Sequence, residues 1–232
     1  MLQRLRDRLS PTDGIERHVV TARLLGSPAT VVDVGGAPGQ LAADLDGATV
    51  TAVNVDPGAD VLIEAGPHPL PFTDRSFEAA ASLDTLEHIP RPDRATFVRE
   101  LLRVADRRVV MCCPLGSPLR SEVEAADNAF YRDLTGGDHP WISEHLEHGP
   151  PTLPELEELF SSGEHDVRFH FNGDLRVSSR QFRMSERSQF TRRPRAMARW
   201  AAFRLRHGPD LAITDSPSAS TNRVFVVADR RA

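Results

Sequence analysis

Val31-Val32-Asp33-Val34 runs directly into Gly35-Gly36-Ala37-Pro38-Gly39. Three valines around one acid read as a buried parallel strand. The glycines read as a loop whose backbone must approach something closely. Gln40-Leu41-Ala42-Ala43-Asp44-Leu45 follows as a helix opening. Strand, glycine loop and helix N-terminus together build a nucleotide-type pocket at the carboxyl end of a sheet.

The spacing narrows the ligand. A dinucleotide fingerprint needs glycines at G-x-G-x-x-G to seat a pyrophosphate on the helix N-terminus. Here they fall at 35, 36 and 39. Asp33 stands two residues before the first glycine, where its carboxylate would repel a pyrophosphate. It suits a ligand with a cationic end, such as a sulfonium carrying an α-amino group. Taken alone, the loop is also compatible with a strand–turn–helix that binds nothing.

Val50-Thr51-Ala52-Val53-Asn54-Val55-Asp56 reads as a second strand ending in polar acceptors. In such folds the tip of the second strand holds ribose hydroxyls. Asn54 and Asp56 leave the same face of a strand, so either can serve. Further on come Leu70-Pro71-Phe72, Ser76-Phe77-Glu78 and Leu86-Glu87-His88, with a small-residue strand between the last two.

In that order and spacing, the stretch from Val31 to Pro114 resembles the class I S-adenosylmethionine-dependent methyltransferases, in the type 11 subgroup that includes quinone-biosynthesis enzymes. The resemblance implies a Rossmann-like, doubly wound, mainly parallel seven-stranded α/β sheet with a terminal antiparallel strand. It implies S-adenosylmethionine as cofactor. Asp33 would meet its amino end, and Gly35, Gly36 and Gly39 would allow close backbone approach. Asn54 or Asp56 would hold the ribose. Ala65 and Gly66 would pass the adenine, and Leu83 and Asp84 would flank the methionine part. Two family features are altered: the second-strand acid aligns with Asn54, and the acid often found beside the adenine is absent, with Glu64 close by.

Length and composition fit a single domain over 1–232 with 40% hydrophobic and 26% charged residues. No apolar run approaches membrane-spanning length, and Met1–Arg8 has no signal-peptide apolar core, which points to the cytoplasm. Adjacent Cys112 and Cys113 fall on one strand with side chains on opposite faces, poor geometry for a disulfide. The net charge of −5 argues against general nucleic-acid binding. The late arginine-rich region keeps an anionic partner open.

Strands are expected near 30–34, 49–55, 60–64, 78–83, 107–113, 166–171 and 222–228. A first helix is capped by Thr12-Asp13, and another opens at Pro92-Asp93. Two segments exceed the minimal sheet. Residues 114–151 form a candidate lid in which Tyr131 and Trp141 would contact a small-molecule acceptor. Residues 178–207 form an arginine-rich insertion, helical in its latter half, read first as a capping helix with a solvated arginine face. His88, Asp84 and His139 are the candidate proton acceptors, on position alone. His139, His145 and His148 lack the spacing of a metal motif, so no metal is expected. The competing functional classes are a nicotinamide-dependent oxidoreductase on a similar sheet and a catalytically silent binding protein.

Overall fold

A computed structural model describes residues 12–161, 163–191 and 193–231. Seven strands form one sheet: β1 (Thr30–Val34), β2 (Thr49–Asn54), β3 (Val61–Leu62), β4 (Phe77–Leu83), β5 (Ala105–Pro114), β6 (His165–Asp174) and β7 (Thr221–Arg230). Their order across the sheet is β3-β2-β1-β4-β5-β7-β6. β1 pairs parallel with both β2 and β4, whereas β7 runs antiparallel between β5 and β6. The strand that ends the sequence is thus inserted inside the sheet. The order reverses at β1, so the crevice for a ligand opens beyond the carboxyl ends of β1 and β4.

Strand alternation divides the core into two layers. Val32, Val34, Ala80, Met111, Cys113 and Val226 face one way, onto Val98, Leu101 and Leu102 of helix α2 (Arg91–Val104). Val31, Ala79, Ala81, Val110, Cys112 and Phe225 face the other, onto Val20 and Leu25 of helix α1 (Thr12–Leu25). Cys112 and Cys113 are both free and buried, one in each layer. The cap expected of Thr12 and Asp13 rests on side chains outside the described part of the structure, as does the Met1–Arg8 stretch.

Three elements differ from the sequence reading. The helix expected after the glycine loop is a single 3₁₀ turn, Leu41–Asp44. It is cut short by Asp46-Gly47, where Gly47 takes φ +76°. The third strand shrinks to two residues at the sheet edge. The arginine-rich segment is helical almost throughout, as α6 (Leu175–Thr191) and α7 (Pro194–Arg206), rather than in its latter half alone. Asp174 starts α6, its Oδ1 accepting from the backbone N–H groups of Arg176 (2.8 Å) and Val177 (3.2 Å). Pro194 sits in the first turn of α7, where its missing N–H costs nothing.

Between β5 and β6 lie α3 (Pro118–Thr135), α4 (Pro140–His148) and α5 (Leu153–Leu159). A fully buried arginine ties these to the sheet layer. From α2, Arg94 donates to Ile89 O (3.0 Å), Gly149 O (2.7 Å) and Glu155 Oε1 (2.7 Å). Truncating it strands the Glu155 carboxylate and two carbonyls. Arg94→Ala should therefore lower stability by about 3–5 kcal/mol, the range for breaking a buried ion pair from one side. Urea denaturation of the two proteins measures the difference, and an unchanged midpoint would contradict this account of Arg94.

Candidate cofactor and acceptor site

The carboxyl end of β1 presents an acid with nothing on it. Asp33 is 1% exposed, and its Oδ1 has no hydrogen-bond partner. Burial raises its pKa to about 7, against the opposing pull of the Arg17 guanidinium. The glycines above it are required by space. A Cβ on Gly36 would overlap the Asp33 carboxylate, and one on Gly35 would overlap the Thr85 side chain. Gly35 also takes φ +88°, which favours glycine. Its N–H donates to Val53 O (2.7 Å), pinning the loop to β2. A Cβ on Gly39 would meet no heavy atom within 4 Å, so that end of the loop opens outward.

Asn54 and Asp56 stand differently. Asn54 Nδ2 donates to Gly35 O (2.8 Å) and Gly36 O (3.1 Å). Its Oδ1 accepts from the backbone N–H groups of Val55 (2.7 Å) and Asp56 (3.3 Å). The amide is therefore engaged as a staple across the glycine loop, a task that needs donors and that a carboxylate could not perform. Asp56 is exposed. Ala65 and Gly66 lie exposed just after β3, and Ile63 N–H donates to Asn54 O (3.0 Å), keeping that turn beside β2.

Leu83 is buried at the tip of β4, and Asp84 beyond it takes φ +49°. Asp84 bridges two arginines far apart in sequence, Arg17 of α1 (2.5 Å) and Arg223 of β7. Burial opposes its ionisation, but Arg223 and then Arg17 outweigh that and hold the carboxyl well below the usual range. As a proton acceptor it is therefore weak. Leu86–His88 form a 3₁₀ turn. His88 Nδ1 lies 2.6 Å from Glu144 Oε2, and burial lowers its pKa, as does neighbouring His145. Glu87 is buried, and burial together with the Asp84 charge raises its pKa well above normal.

The segment after β5 reaches this end of the sheet through α4, whose Glu144 and His145 meet His88 and Glu87. Behind that contact the rings of Tyr131 and His139 lie 4.8 Å apart, and those of His139 and Trp141 lie 5.7 Å apart. Phe182 of α6 lies 5.3 Å from His139, and Phe190 lies 5.7 Å from Tyr131. The two insertions are thus one lobe. Asp127 of α3 fastens it by accepting from Ser179 (2.8 Å) and Arg183 (2.5 Å) of α6. His139 Nδ1 caps α4 by accepting from Ile142 N–H (3.4 Å).

Sequence reasoning missed Arg17, Arg223, Glu124 and His145. The Asp84 partners lie 67 and 139 residues from it, beyond any local spacing rule. His145 was visible only as one of several histidines on an acidic segment.

Residues 32–113 match the methyltransferase domain family. An uncharacterized methyltransferase of Mycobacterium tuberculosis is 35% identical over 77 residues, covering 27% of this chain and 30% of that protein. The chain therefore spans under a third of the curated relatives it matches. A SAM-dependent methyltransferase of Thermotoga maritima has the same fold, with TM-score 0.57, 11% identity and coverage of 94% and 92% of the two chains. So does a geranyl diphosphate methyltransferase in complex with SAM, with TM-score 0.53, 14% identity and coverage of 94% and 85%.

The unpaired Asp33 carboxyl carries a stability consequence. Its folded pKa of about 7 lies above the unfolded value, so the folded state binds the extra proton. That contribution is complete below about pH 4 and is lost as pH rises through 7. Asp33→Asn should stabilise the ligand-free protein at pH 8, by about 1–3 kcal/mol, with the gain vanishing toward pH 4. Melting curves across that range test it, and a variant less stable than wild type at pH 8 would contradict the assignment.

Proposed function

We propose that this chain, which carries a methyltransferase domain on a class I sheet, binds S-adenosylmethionine and transfers its methyl group to a small-molecule acceptor. The observation that carries the reading is Asp33: a buried, unsatisfied carboxyl oxygen beneath Gly35 and Gly36, where added side chains would overlap Thr85 and the Asp33 carboxylate. That cradle fits a cationic amino-acid end and disfavours a pyrophosphate, which sets the nicotinamide alternative aside.

The cofactor supplies an activated methyl group, whose bond to sulfur breaks with its electron pair as the bond to the acceptor forms. The protein's part is placement and charge. Asp33 accepts from the ammonium. Gly35 and Gly36 let the backbone approach. Asp56, with its carboxylate exposed, holds the ribose diol, while Asn54 keeps the loop in shape for it. Ala65 and Gly66 line the adenine side, and Leu83 and the backbone of Asp84 line the methionine side. Holding donor and acceptor in line can be equivalent to about 10⁵–10⁸ M of effective concentration, so little further chemistry is required.

Proton acceptance falls to an imidazole. Asp84 is held ionised by its two arginines and is better suited to fixing α1 and β7 around the site. His88 and His139 both have lowered pKa values, chiefly through burial; His88, whose Nδ1 faces Glu144, keeps its Nε2 lone pair for the proton, whereas the Nδ1 lone pair of His139 is engaged as the cap of α4. Tyr131, His139 and Trp141 form the acceptor wall, supported by their mutual ring contacts and by the seat of α4 against the loop after β4.

Two measurements test this. Titration calorimetry with S-adenosylhomocysteine should show Asp33→Ala weakened by about 1.5–3 kcal/mol, the scale of a charge-assisted hydrogen bond, and no binding of NAD. Equal affinity in wild type and variant would sink the reading. Alanine at Tyr131 or Trp141 should raise the acceptor KM or lower kcat at least tenfold while cofactor affinity stays within twofold. A matching loss of cofactor affinity would move these residues out of the acceptor wall.

A further inference from the structure

α7 leaves one side of its surface without a partner. Between Glu186 and Asp210 the chain has seven arginines and no acidic residue, although its net charge is −5. Phe203 is buried and anchors α7 to α6, where Arg180 lies 5.6 Å from the centre of its ring. The other side of α7 faces solvent. There Ala198, Ala202 and Leu205, spaced i, i+4, i+7, form an apolar row, and Leu205 is 90% exposed. Arg195, Arg199 and Arg206, all exposed, form a second row beside it. Among the described residues, none makes a hydrogen bond or ion pair with these three side chains. They differ in this from Arg183 and Arg187, which pack over Phe130 inside the lobe. Met197 (54% exposed) carries the apolar surface towards Phe190 (51%) at the end of α6, and the two side chains line one open cleft.

We propose that this face of α7 docks the protein on the surface of an anionic phospholipid bilayer. An apolar row flanked by arginines is what a helix lying in a membrane interface presents. Its apolar side chains enter the acyl boundary, and its guanidinium groups meet lipid phosphates. Leucine, methionine and alanine gain by leaving water for an apolar phase, whereas a nucleic acid would offer them neither stacking nor charge. The remainder of the chain is net acidic, which keeps other faces off the same bilayer and sets which face docks. The surface belongs to the acceptor lobe, because the Phe190 ring lies 5.7 Å from that of Tyr131. Docking therefore brings that lobe to the lipid. The proposal stands independently of the methyl-transfer reading, because vesicle binding is measured without cofactor or acceptor.

The test mixes the full chain with sucrose-loaded vesicles and measures the bound fraction after sedimentation. Vesicles of equal parts phosphatidylcholine and phosphatidylglycerol should bind the protein. Vesicles of phosphatidylcholine alone should bind it at least tenfold less, and binding to the anionic vesicles should fall as NaCl rises. Arg195→Ala combined with Arg199→Ala should weaken partitioning at least tenfold, since each basic residue beside an anionic leaflet contributes roughly a factor of five. Arg99→Ala combined with Arg107→Ala removes the same charge from exposed positions on α2 and β5 and should leave partitioning within twofold. Leu205→Gln keeps the charge and should weaken partitioning at least threefold. Far-ultraviolet circular dichroism checks folding, and Leu205→Gln decides the matter if the arginine pair does not fold. Absence of wild-type binding to anionic vesicles, equal losses in the two arginine pairs, or wild-type partitioning in folded Leu205→Gln would overturn the proposal. So would tighter binding of a single-stranded RNA oligonucleotide than of the vesicles, read by fluorescence anisotropy and unchanged by Leu205→Gln, which would assign the surface to nucleic acid. Asp33→Ala should lose S-adenosylhomocysteine binding and keep vesicle binding, so the two readings fail separately.

Discussion

A buried carboxyl without a partner is the constraint around which this end of the molecule is arranged. Asp33 occupies a core position of a parallel strand, on the same face as Val31, where an apolar residue would pack without cost. Keeping an acid there is expensive, and its raised pKa is the sign of that expense. The surrounding chain preserves the cost rather than relieving it. Gly36 offers no side chain to cover the carboxyl, and the Gly35 N–H is committed to Val53. Arg17, whose charge acts on Asp33, has its guanidinium bonded to Asp84. A cation from outside is what the site lacks.

Around that centre, charge pairing takes the place of local sequence in holding distant segments together. Asp84 draws α1 and β7 to the tip of β4. Arg94 binds the start of α2 to the end of α4 and to α5, and Asp127 binds α6 to α3. Each pair is at least partly buried, where screening is weak and loss of one partner is costly. The crevice is therefore bordered by elements whose spacing depends on a few arginines. Several of the arginines that look like a solvated basic face in sequence are of this kind. Arg183 pairs with Asp127, Arg183 and Arg187 lie over the Phe130 ring, and Arg204 is buried beside Trp200.

What could be read from the sequence follows from how local each signal is. The first strand and its glycine loop carry their meaning in nine consecutive residues, and the mainly parallel seven-stranded sheet came with the family resemblance, without its strand order. The alternation of Cys112 and Cys113 across the sheet is a two-residue rule. Asn54 shows where local reading stops: its position on β2 marks it for a ribose, but its amide is spent on Gly35 and Gly36, a contact set by the loop's return path. α6 was underestimated because Ser178-Ser179 is a weak helix opening, and the Asp127 that anchors it lies 52 residues away. The approach of His145 to Glu87 depends on how α4 docks, and no spacing along the chain encodes it.

Proton release on cofactor binding tests the central claim most directly. At pH 6 the Asp33 carboxyl is mostly protonated in the free protein, and it must ionise to meet a cationic amino group. Calorimetric titration of S-adenosylhomocysteine at pH 6, in buffers of different ionisation enthalpy, should show about one proton released per molecule bound, and none in Asp33→Asn. Tight binding with no proton released by the wild type, or the same release by the variant, would contradict the account.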